Sequence, residues 1–449
     1  MAKNKLWDKG FSIDEKIERF TVGKDRSLDL LLAPWDILGT LAHVRMLTSV
    51  GLLSKDELAR LQPALRSLYV QAREGKLLIE DDVEDIHSQV ELLLTRELGE
   101  LGKKVHTGRS RNDQVLVDLK LFSRAAIEKT VHRVEALFRL FQRRSEENKE
   151  VLMPGYTHLQ VAMPSSFGLW FGAWAEALSD DMHMMVAAWK LCNRNPLGSA
   201  AGYGSSAPLN RSLTTRLLGF EKMDWNSICA QLSRGKTEWT VASAYASIAA
   251  TLARFAADCC LYGSQNFGFV RLPRELTTGS SIMPHKKNPD VFELLRAHFN
   301  RIAAVPESIR SITANLPSGY FRDMQLLKEL YLPLFAEMDD CLDIALFAVE
   351  HLEVVDGLMN NPLYATAFSV EEVNRLVREE GVPFREAYRK AGEAIEAGSF
   401  KFNGKLHHTH EGSIGNLAND EIAASLLRTL ADFDFSGVHG ALDALLKGD

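Results

Sequence analysis

The sequence predicts an all-α protein of three helical domains, the central one a bundle of long helices. Three observations carry that prediction. From Gly108 to Pro154 the chain contains no intervening Gly or Pro, and Ile127, Val131, Val134, Phe138 and Phe141 recur there at alternating steps of four and three. This spacing lays one apolar stripe along a helix. From Gly235 to Gly263 a second uninterrupted window repeats the pattern with Val241, Tyr245, Ile248, Leu252, Phe255, Cys259 and Tyr262. Its 27 residues would span roughly 40 Å. The third observation is that strand-like alternation is scarce throughout.

The elements follow in order. Ser54-Lys-Asp-Glu57 reads as a capping box, and the helix it opens is expected to break or restart at Pro63 and to end near Gly75. The acidic run Glu80 to Asp85 reads as a solvated face or a helix start. Two long helices form the centre. Ala242, Ser243, Ala244, Ala246, Ser247, Ala249 and Ala250 keep the second one thin, so neighbours can approach it on more than one face. Such a helix is expected inside a bundle shared between subunits. Ser369-Val-Glu-Glu372 is expected to open a helix that stops at Gly381, before Val-Pro383. Boundaries fall near residues 107 and 355, giving domains 1–107, 108–355 and 356–449.

Composition narrows the class. Hydrophobic residues make up 46% and charged residues 25% of the 449, as in an ordinary globular protein. A net charge of −7 argues against binding nucleic acid through a basic surface. Five cysteines without a C-x-x-C pair suggest reduced thiols, not a disulfide scaffold or a zinc ribbon. No uncharged apolar run reaches the roughly 18 residues of a membrane span, and residues 1–20 lack the apolar core of a signal peptide. A cytoplasmic protein with no membrane contact is expected. His407, His408 and His410 cluster without an acid–His spacing, so no metal is expected there.

Three polar segments stand out from this background. In 102–114, Lys103, Lys104, Arg109 and Arg111 precede a single acid, Asp113, just before the first long helix. Such a loop can hold carboxylates or phosphates, and it reads equally well as a solvated basic turn. In 153–160, Pro154 and Gly155 impose a loop between helical segments that carries Thr157 and His158. In 277–290, Ser280, Ser281, Lys286, Lys287 and Asn288 gather between prolines, with Glu293 opening the next helix. The plain reading is a surface loop; the chemical reading is a mobile lid that brings a base and charge stabilisers to a substrate.

Together the three segments resemble the fumarase/aspartase superfamily, and within it the argininosuccinate lyases most closely. The matching runs are His106-Thr-Gly-Arg-Ser-Arg-Asn-Asp-Gln114, Met153-Pro-Gly-Tyr-Thr-His-Leu-Gln160 and Gly279-Ser-Ser-Ile-Met-Pro-His-Lys-Lys-Asn-Pro289. Glu84-Asp-Ile-His87, Gln265 to Phe269 and Gly381 to Glu386 extend the resemblance over nearly the whole chain. The resemblance implies a homotetramer whose active sites each combine loops from three subunits. It implies argininosuccinate as substrate, cleaved reversibly to arginine and fumarate without metal or organic cofactor.

The resemblance also implies roles. Ser280 would be the base, activated by local positive potential, with Lys286 and Asn288 stabilising the aci-carboxylate formed when a carbon-bound proton leaves. His158, oriented by Glu293, would manage the proton on the guanidino side. Asn112 and Thr157 would hold the succinyl part, and Arg109 and Arg111 would supply field or direct contacts. Tyr320, Gln325 and Lys328 would contact the arginine part. His106 is placed either to contribute or to serve as a structural hydrogen-bonding group. Three stretches depart from the family pattern. Leu326 and Leu327 stand where acids are usual, Cys229 to Thr237 replaces an Asp/Ser-rich loop, and Gly23 falls where a substrate-contacting Ser is usual. A related fumarate-releasing lyase and a structural protein reusing the fold, as in lens crystallins, are the alternatives.

Overall fold

The computed structural model describes residues 15–274, 277–279, 281–402, 404–406 and 408–448. Fifteen helices are described: α1 (Glu15–Val22), α2 (Asp25–Ser49), α3 (Lys55–Arg73), α4 (Ile86–Leu98), α5 (Glu100–Lys103), α6 (Arg111–Glu147), α7 (Phe167–Cys192), α8 (Arg211–Leu217), α9 (Ser227–Tyr262), α10 (Asp290–Thr313), α11 (Leu327–His351), α12 (Ser369–Glu380), α13 (Phe384–Glu396), α14 (Asn419–Leu430) and α15 (Phe435–Lys447). The all-α class expected from periodicity is the fold observed.

Three apolar clusters organise these helices. The largest joins α6, α7, α9, α10 and α11; all five members of the predicted α6 stripe lie in it, as do Val241, Tyr245, Ile248, Leu252, Phe255 and Cys259 of α9. The second gathers α2, α3 and α4 around the start of α6, through residues such as Leu38, Leu61, Ile86 and Val117. The third is small, with Val373, Ala387 and Ala391 between α12 and α13. α14 and α15 return to the larger bodies: Ile422 and Leu426 join the first cluster and Leu445 the second. Helices α2 and α9 are long and apolar enough to cross a membrane, yet α2 buries Asp29, Asp36 and His43 and α9 runs through the central cluster.

Several local expectations hold. The capping box at Ser54 forms, with Glu57 N–H donating to Ser54 Oγ at 3.1 Å and Ser54 N–H to Glu57 Oε2 at 2.8 Å. Gly381 closes α12 with φ +65°.

Others are corrected. Pro63 does not break α3, which runs unbroken because Leu61, Ala64, Leu65 and Leu68 stay anchored in the second cluster on both sides of it. Ser369 opens α12 as its first residue, as expected, but without a side-chain cap bond, because a 3-10 turn over Pro362–Phe368 leads straight into the helix. The 153–160 loop is a β-hairpin of β1 (Leu152–Thr157) and β2 (Gln160–Ser166), with His158 and Leu159 at φ +54° and +56° in its two-residue turn. Paired positive φ values suit the twist of an antiparallel hairpin. The window after Gly235 belongs to a helix that begins earlier, at Ser227, and is interrupted at Arg234 (ψ 132°) and Gly235 (φ +81°).

Candidate active site

A cleft opens where five distant segments meet. α2 supplies Asp25 and Asp29, the segment entering α4 supplies Glu84, Asp85 and His87, and the first turns of α6 supply Arg111, Asn112 and Val115. The interruption in α9 adds Arg234, and residues 320–328 add Tyr320, Arg322, Gln325 and Lys328. Local sequence fixes each wall. α6 starts where Ser110 Oγ accepts the Asn112 N–H and Asp113 Oδ1 accepts the Ser110 N–H at 2.9 Å. The second Asp113 oxygen accepts Gly198 N–H at 2.9 Å and Ala200 N–H at 3.0 Å, tying a neighbouring loop to this helix start. Asp85 caps α4 through the Ser88 N–H at 2.8 Å.

Charge pairs close the walls on each other. Lys328 Nζ lies 2.7 Å from Asp25 and 2.6 Å from Asp29. Arg111 reaches Asp85 at 2.6 Å and Glu84 at 3.1 Å, and Arg322 takes the other Glu84 oxygen at 3.0 Å. Gln325 donates to the carbonyls of Thr21 and Val22 at 2.8 and 3.2 Å, so α1 is held against the cleft.

These pairs shift the titration of the wall groups. Burial pushes the Asp25 carboxyl up to about 6 against the pull of Lys328. Burial works against the Asp85 carboxylate, but His87 and Arg111 win and bring it down to about 2. Burial disfavours a charged His87, yet Asp36, whose carboxylate lies 2.7 Å from Nδ1, together with Asp118 and Asp85 lifts it to about 10. His106 goes the other way, lowered to about 4 by burial and by Arg109, so it is neutral at neutral pH.

The structure therefore brings Arg111, Asn112, Tyr320, Gln325 and Lys328 together in one cleft. Arg109 is turned inward, donating to Thr40 Oγ1 and the Val105 carbonyl, both at 2.8 Å, and does not line the cleft. Thr157 and His158 sit exposed at the hairpin turn. Lys286 and Glu293 are exposed and Asn288 is half-buried, with Thr278 pairing to Asn288 and Gly279 to Lys287 in a short ladder. These five line none of the cleft described. Ser280 and His407 lie outside the described residues. His408 is engaged by Ser413 at 2.7 Å and Glu371 at 3.1 Å.

Asp25, Asp29, Arg234 and Arg322 were not singled out from sequence. Asp25 and Asp29 are four residues apart and so share one helix face, a spacing that could have flagged them. Asp36, His87 and Asp118 place three ligand-type atoms within 4.8 Å of one another. With His87 Nδ1 already on Asp36 and the ring held protonated, the group is a buried ion pair beneath the cleft.

A family model described as lyase matches residues 11–303. An argininosuccinate lyase of Bacteroides fragilis is 58% identical over 98% of this chain and 99% of its own length. One from Parabacteroides distasonis is 55% identical over 99% of both. Among solved structures, an EDDS lyase variant with bound fumarate covers 97% of this chain and 95% of its own, with TM-score 0.75 and 22% identity. A class II fumarase from Schistosoma mansoni covers 96% and 95%, with TM-score 0.70 and 16% identity. At such identities these two likenesses are of fold.

Proposed function

The chain belongs to the lyase family and, within it, to the argininosuccinate lyases, and from that membership we propose how its residues carry the reaction. The protein cleaves argininosuccinate reversibly to L-arginine and fumarate by β-elimination, a step of arginine biosynthesis. The observation that supports our assignment of residues is the convergence of Arg111, Asn112, Tyr320, Gln325 and Lys328 on one charged cleft.

In this reading Ser280 removes the proton from the succinyl carbon beside a carboxylate. The electron pair left behind is held as an aci-carboxylate by Lys286 and Asn288. It then forms the double bond of fumarate as the carbon–nitrogen bond breaks. The departing guanidino nitrogen gains a proton on the side managed by His158, with Glu293 orienting the imidazole. Asn112 and Thr157 hold the succinyl part, with Arg111 contributing field and Arg109 acting from behind the wall. Tyr320, Gln325 and Lys328 hold the arginine part.

The hairpin turn and residues 281–287 are exposed in one chain, which supports sites completed by other subunits of a homotetramer. Apolar side chains left exposed on the central helices, including Trp239, Leu294, Ile344 and Phe347, support the same assembly. For domain boundaries near 107 and 355 the support is that α2, α3 and α4 pack in the second cluster and α12 and α13 in a third of their own, although Leu197, Leu218 and Phe220 join the second cluster and α14 and α15 lie back on the first two. Five free thiols support a reducing, cytoplasmic setting.

The test is fumarate absorbance on mixing pure protein with argininosuccinate, run beside adenylosuccinate, aspartate and malate. Ser280→Ala is expected to abolish turnover while retaining substrate binding; near-normal kcat excludes it as the base. Mixing subunits inactivated at Ser280 with subunits inactivated at His158 is expected to restore some activity. No recovery after demonstrated subunit exchange rejects the shared site.

A further inference from the structure

We propose that Glu128 and His132 of α6, together with His439 of α15, form a site for a divalent transition-metal ion, zinc above all, which pins the C-terminal helix to the central bundle. None of the three lines the cleft, so the site stands apart from the elimination chemistry and takes no part in it.

The three side chains meet around one carboxylate. Glu128 and His132 are four residues apart and so share a face of α6. His132 Nε2 lies 3.8 Å from Glu128 Oε1, and His439 Nε2 lies 2.9 Å from Glu128 Oε2. Among the described residues no lysine or arginine pairs with Glu128; Lys129 and Arg133, its neighbours on α6, are drawn away to Asp339. The carboxylate is thus left to the two imidazoles. α15 is held in the register that this requires. Asp434 caps it through the Gly437 N–H at 2.9 Å. Phe435, one turn before His439, sets its ring 5.6 Å from that of His132 and 5.0 Å from that of Trp189.

Two imidazoles and a carboxylate are a donor set suited to zinc, nickel and cobalt ions, with a fourth position left for water. Magnesium and calcium take oxygen ligands instead. Ligand bonds of about 2.0–2.2 Å at tetrahedral angles put donor atoms roughly 3.4 Å apart. His439 already stands within that spacing of Glu128, and His132 lies only slightly beyond it. The carboxylate is the fixed point, its side chain 18% exposed, whereas the imidazoles are 61% and 60% exposed and have room to turn onto a shared ion. A ring nitrogen that donates to Glu128 gives up its proton when the ion takes its place, so uptake releases protons to solvent. The ion then ties α6 to a residue 311 positions beyond Glu128. Leu445 of the same helix sits in the second cluster, so the clamp holds α15 across two cores.

The experiment uses the full-length protein without an affinity tag, stripped by a chelator and titrated with zinc chloride in a calorimeter, with magnesium chloride alongside. One strong zinc site per chain is expected, and no magnesium site at these residues. His132→Ala, His439→Ala and Glu128→Gln are each expected to weaken zinc binding at least about tenfold, whereas His408→Ala and alkylation of the thiols leave it unchanged. Unchanged fumarate release by the three variants checks that they fold. Zinc is expected to raise the urea midpoint of the unaltered protein and to lose that effect in His439→Ala. Absence of zinc uptake, uptake that survives all three substitutions, or uptake lost with His408 or the thiols overturns the proposal. Anomalous scattering from zinc-soaked crystals gives an arm that needs no variant: the peak is expected between Glu128, His132 and His439, and a peak only elsewhere overturns the assignment.

Discussion

Replacing Gly235 by Ala tests the interruption in α9 most directly. An added Cβ would stand 2.6 Å from Thr313 Cγ2 and 3.4 Å from Thr313 Cβ, at a φ of +81°. The left-handed backbone costs an L-residue about 1–2 kcal/mol. Crowding one methyl into occupied space adds about 1–3 kcal/mol. Restricting the unfolded chain returns about 0.4–1 kcal/mol. The net loss is therefore about 1–5 kcal/mol, read as a lower urea midpoint at fixed protein concentration. Thr313→Ser separates the two costs, because it removes the Cγ2 methyl while keeping the hydroxyl that donates to the Ile309 carbonyl at 3.0 Å. In the double variant the crowding part is expected to vanish and the backbone part of about 1–2 kcal/mol to persist. Complete rescue by Thr313→Ser, or a loss below about 0.5 kcal/mol in Gly235→Ala alone, refutes the reasoning.

Lys328→Met leaves Asp25 and Asp29 facing each other without a cation and is expected to cost about 3–5 kcal/mol at pH 8. Without the lowering pull of Lys328 the Asp25 carboxyl takes up its proton at a higher pH than in the unaltered protein, so the cost is expected to shrink as pH falls toward about 6; a pH-independent loss in urea titrations contradicts this. His87 titrates near 10 in the fold against 6.5 for an unperturbed imidazole. Its contribution to stability is therefore fully present below pH 6.5 and is lost as pH rises through about 10. The denaturation midpoint should fall over that range and flatten in His87→Gln, and equal slopes in the two proteins contradict it. Ser54→Ala removes one half of a formed capping box and is expected to cost about 1 kcal/mol with no change in kcat/KM, checked by urea denaturation and fumarate release.

The helical architecture was legible because burial writes itself into spacing. The five-residue stripe of α6 and most of the α9 stripe lie in the core they predicted. The cleft-lining residues Arg111, Asn112, Tyr320, Gln325 and Lys328 were legible because they sit in long, local motifs. Arg234 escaped notice because its significance depends on a backbone interruption, and nothing in Ser-Arg-Gly-Lys states that the helix resumes beyond it. The β-hairpin escaped because Pro154 and Gly155 suggest a loop, whereas the ladder comes from tertiary pairing with 160–166. Pro63 misled for the opposite reason: a helix anchored by Leu61 and Leu65 tolerates the missing N–H. Asp25 and Asp29 share a helix face, but their pairing was not legible because the partner, Lys328, lies about three hundred positions away.

That last separation has a consequence for biosynthesis. The bond from Lys328 to Asp29 spans 299 residues and that from Gln325 to Thr21 spans 304. At a synthesis rate of about 5–20 residues per second, roughly 15–60 seconds pass between the emergence of the two sides of the cleft. During that interval α2 is exposed to the ribosomal exit and its chaperones with its two aspartates lacking their cation. The N-terminal wall is thus among the first parts made and among the last locked. A nascent chain stalled before residue 328 holds the start of α6 but not the wall that Lys328 and Gln325 complete.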